Sequence, residues 1–138
     1  FGELSLEYAK CMTAFWPMKV EDNAFLALKP EAGGFAWLHV SWTEWKNLFS
    51  IEITLARAKI EIQGLGGSYG TETLTLHEMS PEMGPPRSTK EQWESKSDES
   101  WGRELEDFIH RLTNPSSLGA SVEDAIAVHQ LIEEAYAQ

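Results

Sequence analysis

Four histidines, several adjacent carboxylate pairs and one glycine-rich segment are the parts of this 138-residue sequence equipped for chemistry. His110 and His129 fall in segments with helical periodicity, and His39 and His77 in segments that alternate like strands. A zinc site needs three or four convergent ligands, and no Cys or His stands at ligand spacing from any of them, so the expectation is no metal. The bland alternative is a boundary or core role, with His129 on a buried stripe. The pairs Glu21/Asp22, Glu123/Asp124 and Glu133/Glu134 have the groups for general acid and base work. Their neighbours favour a turn, a helix cap and a solvated face respectively. A Ser/His/Asp nucleophile needs its serine on a sharp strand-to-helix turn, and the sequence offers none. Gly64 to Gly70 (GLGGSYG) resembles an anion cradle, yet such a loop must open a helix. Thr71 to His77 instead alternates with period two, so the loop is expected to be structural.

Composition narrows the classes of function. Twenty-two acidic against 11 basic residues give a formal charge of −11, which disfavours nucleic acid and anionic membrane as partners. No apolar run approaches the roughly 20 residues of a membrane span, and the first residues lack the basic, apolar, small-residue series of a signal peptide. A single cysteine, Cys11, excludes an intramolecular disulfide and points to a reducing, cytoplasmic setting. The length suits one domain. Phe1 in first place suggests a piece of a longer chain, and six tryptophans suggest a contact surface.

The elements that must position these groups are mostly strands. Gly2 to Trp16 alternates throughout, with Leu4, Leu6, Tyr8 and Met12 on one side and Ser5, Glu7, Ala9, Cys11 and Thr13 on the other, which predicts one long strand. Pro17 ends it, Glu21, Asp22 and Asn23 make a polar turn, and Ala24 to Leu28 resumes the extended pattern. Gly33 and Gly34 signal a hairpin. The segment from Gly34 to Gln63 is the heart of the sheet: Ala36, Leu38, Val40 and Trp42 share one face, and Phe35, Trp37, His39 and Ser41 the other. Leu55 to Ala58 reverses the chain into Lys59 to Ile62. Glu78 to Lys90, with three prolines, reads as a surface loop, and Trp93 as part of a last short edge strand. From Trp101 the period becomes 3.6: Leu105, Phe108, Ile109 and Leu112 form one helical stripe, capped by Ser97 or Asp98 and stopped at Asn114 and Pro115. Ser121 and Asp124 form a capping box for a second helix with Val122, Ala125, Ile126, His129, Ile132 and Tyr136 as its stripe. Strands followed by helices predict an α+β fold: an open, mostly antiparallel sheet of about six strands with two C-terminal helices packed on one face.

Several phrases together resemble a known family. Val20 to Trp45 (VEDNAFLALKPEAGGFAWLHVSWTEW), Ile51 to Met79, Asp98 to Leu112 and Ser121 to Tyr136 look like the C-terminal domain of the glucose-fructose oxidoreductase, inositol dehydrogenase and rhizopine-catabolism family, usually written Gfo/Idh/MocA. The resemblance covers essentially the entire chain and rests on the order of its features rather than on one diagnostic motif. It implies a two-domain oxidoreductase using NAD or NADP and acting on CH–OH groups of a sugar, nucleotide sugar or polyol. Residues 1–138 would be the substrate-binding and oligomerisation domain, forming one wall of the substrate site. The glycine fingerprint, the Glu-Lys-Pro segment and the Asp-x-Gly-x-His helix are not in this sequence. The catalytic lysine and histidine are therefore expected in an N-terminal Rossmann domain, and these residues alone are expected to bind no cofactor and turn over no substrate.

The resemblance also places residues. Glu44, Trp45, Lys46 and Asn47, after the third strand, match in position a family loop that reaches toward the polyol, with Trp45, Lys46 and Asn47 as its substrate-binding candidates; Trp16 and Lys19, after the first, are further ones. A Trp face against sugar C–H groups, with Lys or Asn on hydroxyls, is sensible recognition chemistry. Phe35, Trp37 and His39 are the expected homo-oligomer interface. Two other readings stand beside this one: a non-catalytic dimerising module acting through the same sheet face, and a small hydrolase or isomerase with a pocket of its own.

Overall fold

The structure is a computed structural model and describes residues 1–94, 99–114 and 119–138. Among the described residues, seven strands and two helices make an α+β fold. In chain order these are β1 (Leu4–Met12), β2 (Asn23–Pro30), β3 (Ala36–Ser41), β4 (Ser50–Thr54), β5 (Ala58–Gln63), β6 (Glu72–Glu78), β7 (Arg87–Trp93), α1 (Ser100–Arg111) and α2 (Val122–Tyr136). Every pairing is antiparallel. The strands form two sheets rather than one, ordered β1-β2-β3 and β4-β5-β6-β7. The chain divides accordingly into two compact units, Phe1–Trp45 with Leu118–Gln138, and Lys46–Ser117.

In the first unit β2 is central. Ala9, Ala27, Leu28 and Ala135 are its buried apolar residues. The hairpin from β2 to β3 turns as its glycines require, with Gly33 at φ 89° and Gly34 at φ 106°, a region open to glycine without steric cost. The first strand departs from its simple alternation. Leu6 pairs with Leu28 but Tyr8 pairs with Ala27, so Glu7 is a bulge. An extra residue reverses the facing of everything beyond it. Leu4 and Leu6 therefore share a face with Ala9, Cys11 and Leu28, while Tyr8 and Met12 join Phe25, Trp37 and His39 on the other. Beyond the bulge, the N–H of Ala9 donates to Oε1 of Gln138 at 2.8 Å, which ties the end of α2 to β1.

The second helix packs on β1. Its capping box is present: Ser121 Oγ accepts from the Asp124 N–H, and the Asp124 carboxylate accepts from the Ser121 N–H. The buried stripe is one position off the expected one. Ala135 is buried and Leu131 half-buried, whereas Val122, Ile126, His129, Ile132 and Tyr136 are exposed. His129 is thus a surface residue and not a core one.

The second unit shows cleaner alternation. Register places Ile51, Ile53, Ile60, Ile62, Leu74 and Leu76 on one face, and Glu52, Lys59, Glu61, Thr75, His77, Ser88 and Lys90 on the other. The last strand begins at Arg87, so Arg87 to Lys90 belong to β7 and not to the preceding loop. Register with β6 overrides the turn-forming prolines just upstream. Helix α1 forms as its period predicts, yet its stripe of Leu105, Phe108, Ile109 and Leu112 is exposed. Glu99 is its N-cap without a side-chain cap bond; Ser97, Asp98 and Pro115 lie outside the described residues.

Candidate functional site

The densest polar construction in the first unit lies where β1, β2 and β3 end together. The chain leaves β1 at Met12 and must return to β2 at Asn23, and the returning loop needs an acceptor for its N–H groups. Asp22 supplies it. Its Oδ1 accepts from the Ala14 N–H at 2.8 Å, and its Oδ2 from Phe15 at 2.8 Å and Trp16 at 2.9 Å. The Asp22 backbone joins both neighbours: its N–H donates to Met12 and its carbonyl accepts from Trp42. Asp22 is 2 % exposed. These donors, the Ala14 N–H foremost, hold its carboxyl far below the usual carboxylate range although burial opposes ionisation. The turn expected at this position is in fact a buried anion wrapped by backbone.

From Asp22 a hydrogen-bonded chain runs outward. Asn23 Nδ2 donates to Asp22 Oδ1 at 3.0 Å and to Thr43 Oγ1 at 3.1 Å. Asn23 Oδ1 faces His39 Nε2 at 3.1 Å. Ser41 Oγ lies 2.9 Å from Thr43 Oγ1 and accepts from the Thr43 N–H. His39 stacks on Phe25, centroids 4.3 Å apart and planes 9° from parallel. Its Nδ1 faces Glu44 Oε1 at 3.8 Å.

Beside this chain stands an aromatic cluster. Phe15 meets Trp16 and Trp45 edge to face, with centroids 5.1 and 5.0 Å apart. Trp16 Nε1 donates to the Trp42 carbonyl at 3.3 Å. Trp45 is 73 % exposed and is the only described non-glycine residue with positive φ, 59°. Such a conformation costs about 1–3 kcal/mol and concentrates at functional loops. The structure therefore brings together two of the expected substrate-binding residues, Trp16 and Trp45, and sets His39 at the same end of the sheet. Lys19 is exposed on the loop before Asp22. Lys46 and Asn47 are exposed and belong to the second unit. Trp37 is exposed on the face that carries His39, and Phe35, just before β3, is exposed as well.

Asn23 and Thr43 were missing from the expected set, and Asp22 was expected only as a turn residue. A signal was available: the chain leaving the first strand ahead of Pro17 has orphan N–H groups, and an Asp entering the next strand is placed to accept them.

A second polar row crosses the other unit. Ser88 Oγ lies 2.7 Å from His77 Nδ1, and His77 Nε2 lies 3.6 Å from Glu61. Lys59 Nζ reaches Glu61 at 2.7 Å and Glu52 at 2.9 Å. Lys59 holds the Glu61 carboxyl below its usual range, and Glu61 in turn raises the Lys59 ammonium. The row borders a shallow groove of about 480 Å³ that includes Thr54, Ala58, Met79 and Pro86. Serine, histidine and glutamate do meet here, but Ser88 is paired to His77 within a regular ladder and not on a nucleophile elbow. In the glycine-rich loop, Glu72 Oε1 accepts from the Gly66 N–H at 2.7 Å. The chain's own carboxylate thus takes a donor that an anion cradle would need, in keeping with a structural loop.

Among the described residues no group of three or more His, Cys, Asp or Glu is placed to hold a metal ion. No helix among them is long and apolar enough to cross a membrane. No protein-family profile, no curated protein and no solved structure matches this chain.

Proposed function

We propose that this chain supplies the substrate wall of a cytoplasmic NAD(P)-dependent oxidoreductase acting on a sugar, nucleotide sugar or polyol, with a nicotinamide-binding domain outside these 138 residues carrying the hydride chemistry. The observation that carries the proposal is the exposed Phe15–Trp16–Trp45 cluster against the Asn23–His39–Glu44 polar chain. Aromatic faces take sugar C–H surfaces, and adjacent acceptors and donors take hydroxyls. The wall orients the substrate, and the cofactor supplies the redox step. Titration calorimetry with a panel of hexoses and polyols tests it. Trp45→Ala should weaken binding about tenfold, the effect of losing one stacked ring. Lys10→Ala, on β1, should leave it unchanged, and a panel without any binder removes the proposal.

A second reading has its own support. Tyr8 and Trp37 are 49 and 56 % exposed on one sheet face, and Phe35, just before β3, is 68 % exposed, apolar surface of the kind that marks interfaces. On this reading the chain is a dimerising module that pairs through Phe35, Trp37 and His39. Sedimentation equilibrium decides: a dimer dispersed by Trp37→Glu supports it, and a strict monomer removes it.

A further inference from the structure

The hydrogen bonds around Asn23 determine which histidine nitrogen carries the proton. An ionised carboxylate only accepts, and Asp22 is already the acceptor for three backbone N–H groups. The Asn23 amide must therefore turn its NH2 toward Asp22 and its oxygen toward His39. An amide oxygen only accepts, so in the neutral ring His39 Nε2 holds the hydrogen and Nδ1 holds the lone pair. That lone pair faces Glu44 Oε1 across 3.8 Å. Both are acceptors, and among the described residues no hydrogen bond satisfies either.

We infer that His39 Nδ1 and Glu44 Oε1 form a paired acceptor for two adjacent hydroxyl groups of a vicinal diol, with Asn23 as the positioning residue. This rests on the carbohydrate reading above and deepens it. Two neighbouring hydroxyls each donate one hydrogen, one to Nδ1 and one to the carboxylate, while Trp45 beside Glu44 offers an aromatic face to the C–H surface. A lone hydroxyl has a single hydrogen and satisfies only one of the two acceptors. The His39 side chain is 34 % exposed and that of Glu44 44 %, so both are open to a ligand. The stack on Phe25 fixes the ring plane. Selectivity follows from the rule that a site built to hydrogen-bond hydroxyls rejects analogues lacking them.

The test uses the 138-residue chain with 15N-labelled histidine and myo-inositol as probe, and cyclohexanol as the same ring with one hydroxyl. Long-range nitrogen–proton spectra of the free protein should show His39 as the Nε2–H tautomer. Inositol should shift the His39 Nδ1 signal together with the Trp16 and Trp45 indole signals, and cyclohexanol should not move Nδ1. His39→Phe, which retains an aromatic ring against Phe25, and Glu44→Gln should each weaken inositol binding about tenfold, as expected for one lost hydrogen bond to a charged or buried partner. Asn23→Ala should release the tautomer and lower affinity; if that variant fails to fold, the wild-type spectrum and His39→Phe still decide. An Nδ1–H tautomer overturns the inference. So does inositol that moves the tryptophans while leaving His39 still, although the carbohydrate reading survives that result. Inositol that moves neither group overturns both.

Discussion

His39 and His77 invite comparison because each sits within a strand, turns one ring nitrogen to a neutral side chain and the other toward a glutamate, 3.8 Å away in one case and 3.6 Å in the other. The difference lies in the neutral partner. His39 meets an amide oxygen whose orientation is dictated by a buried carboxylate. His77 meets the hydroxyl of Ser88, which rotates to donate or accept. The amide commits one ring to a single tautomer, whereas the hydroxyl beside the other makes no such demand on it. What makes a polar group specific is therefore not its nearest contact but whether that contact has an alternative, and in the first unit the alternatives end at Asp22.

Removing that end point should have the largest effect. Asp22→Ala leaves the Ala14, Phe15 and Trp16 N–H groups without their acceptor, and the melting temperature should fall by about 8 °C or more. Circular dichroism melts check this. Because its folded pKa is depressed, ionised Asp22 contributes stability above the ordinary aspartate value of 3.8, and that contribution is lost as pH falls through the lower folded value. The difference between wild type and Asp22→Asn should accordingly shrink below about pH 4. A difference constant with pH would show that the loop does not depend on the charge.

The helices provide the next contrast. Ser121→Ala breaks the capping box of α2 and should cost about 1 kcal/mol. Glu99→Ala, at the start of α1, removes no side-chain cap bond and should cost much less; chemical denaturation of both variants measures the gap. Smaller still is Glu61→Gln in the half-buried polar row of the second sheet, which should shift the melting temperature by under about 2 °C, since ion pairs that remain in contact with solvent contribute little. Added salt should erase even that. Smallest is Ser88→Ala: stability should not change, while the nitrogen spectrum of His77 shifts its tautomer balance. A His77 that stays in one tautomer without Ser88 would end the contrast with His39.

How much of this was legible in the sequence follows from the range of each interaction. Alternation in Ala58–Gln63 and Glu72–Glu78, the Gly33–Gly34 turn and the Ser121 cap are local, and the α+β class with its two helices could be read directly. The bulge at Glu7 is decided by the partner strand, so simple alternation misassigned Leu4 and Leu6 relative to Tyr8. The buried face of α2 follows the strand it meets: Leu131 and Ala135 face β1 while the more apolar-looking stripe through Ile126 and Ile132 stays exposed. Within the site, Trp16 and Trp45 were named from the family likeness, but Asp22 looked like an ordinary turn residue. Its role depends on three N–H groups six to eight residues away, a convergence that the loop produces only once its two strands pair.

The outer strand of the second sheet has a consequence for how the protein behaves at high concentration. β7 borders that sheet, and its sequence, RSTKEQW, interleaves cations, an anion and small polar groups. An unprotected flank of this kind recruits strands from other molecules, and charged side chains are the usual deterrent to fibre growth. Replacing Arg87 and Lys90 with valine would convert a guarded margin into a template, and the same fold would then begin to polymerise.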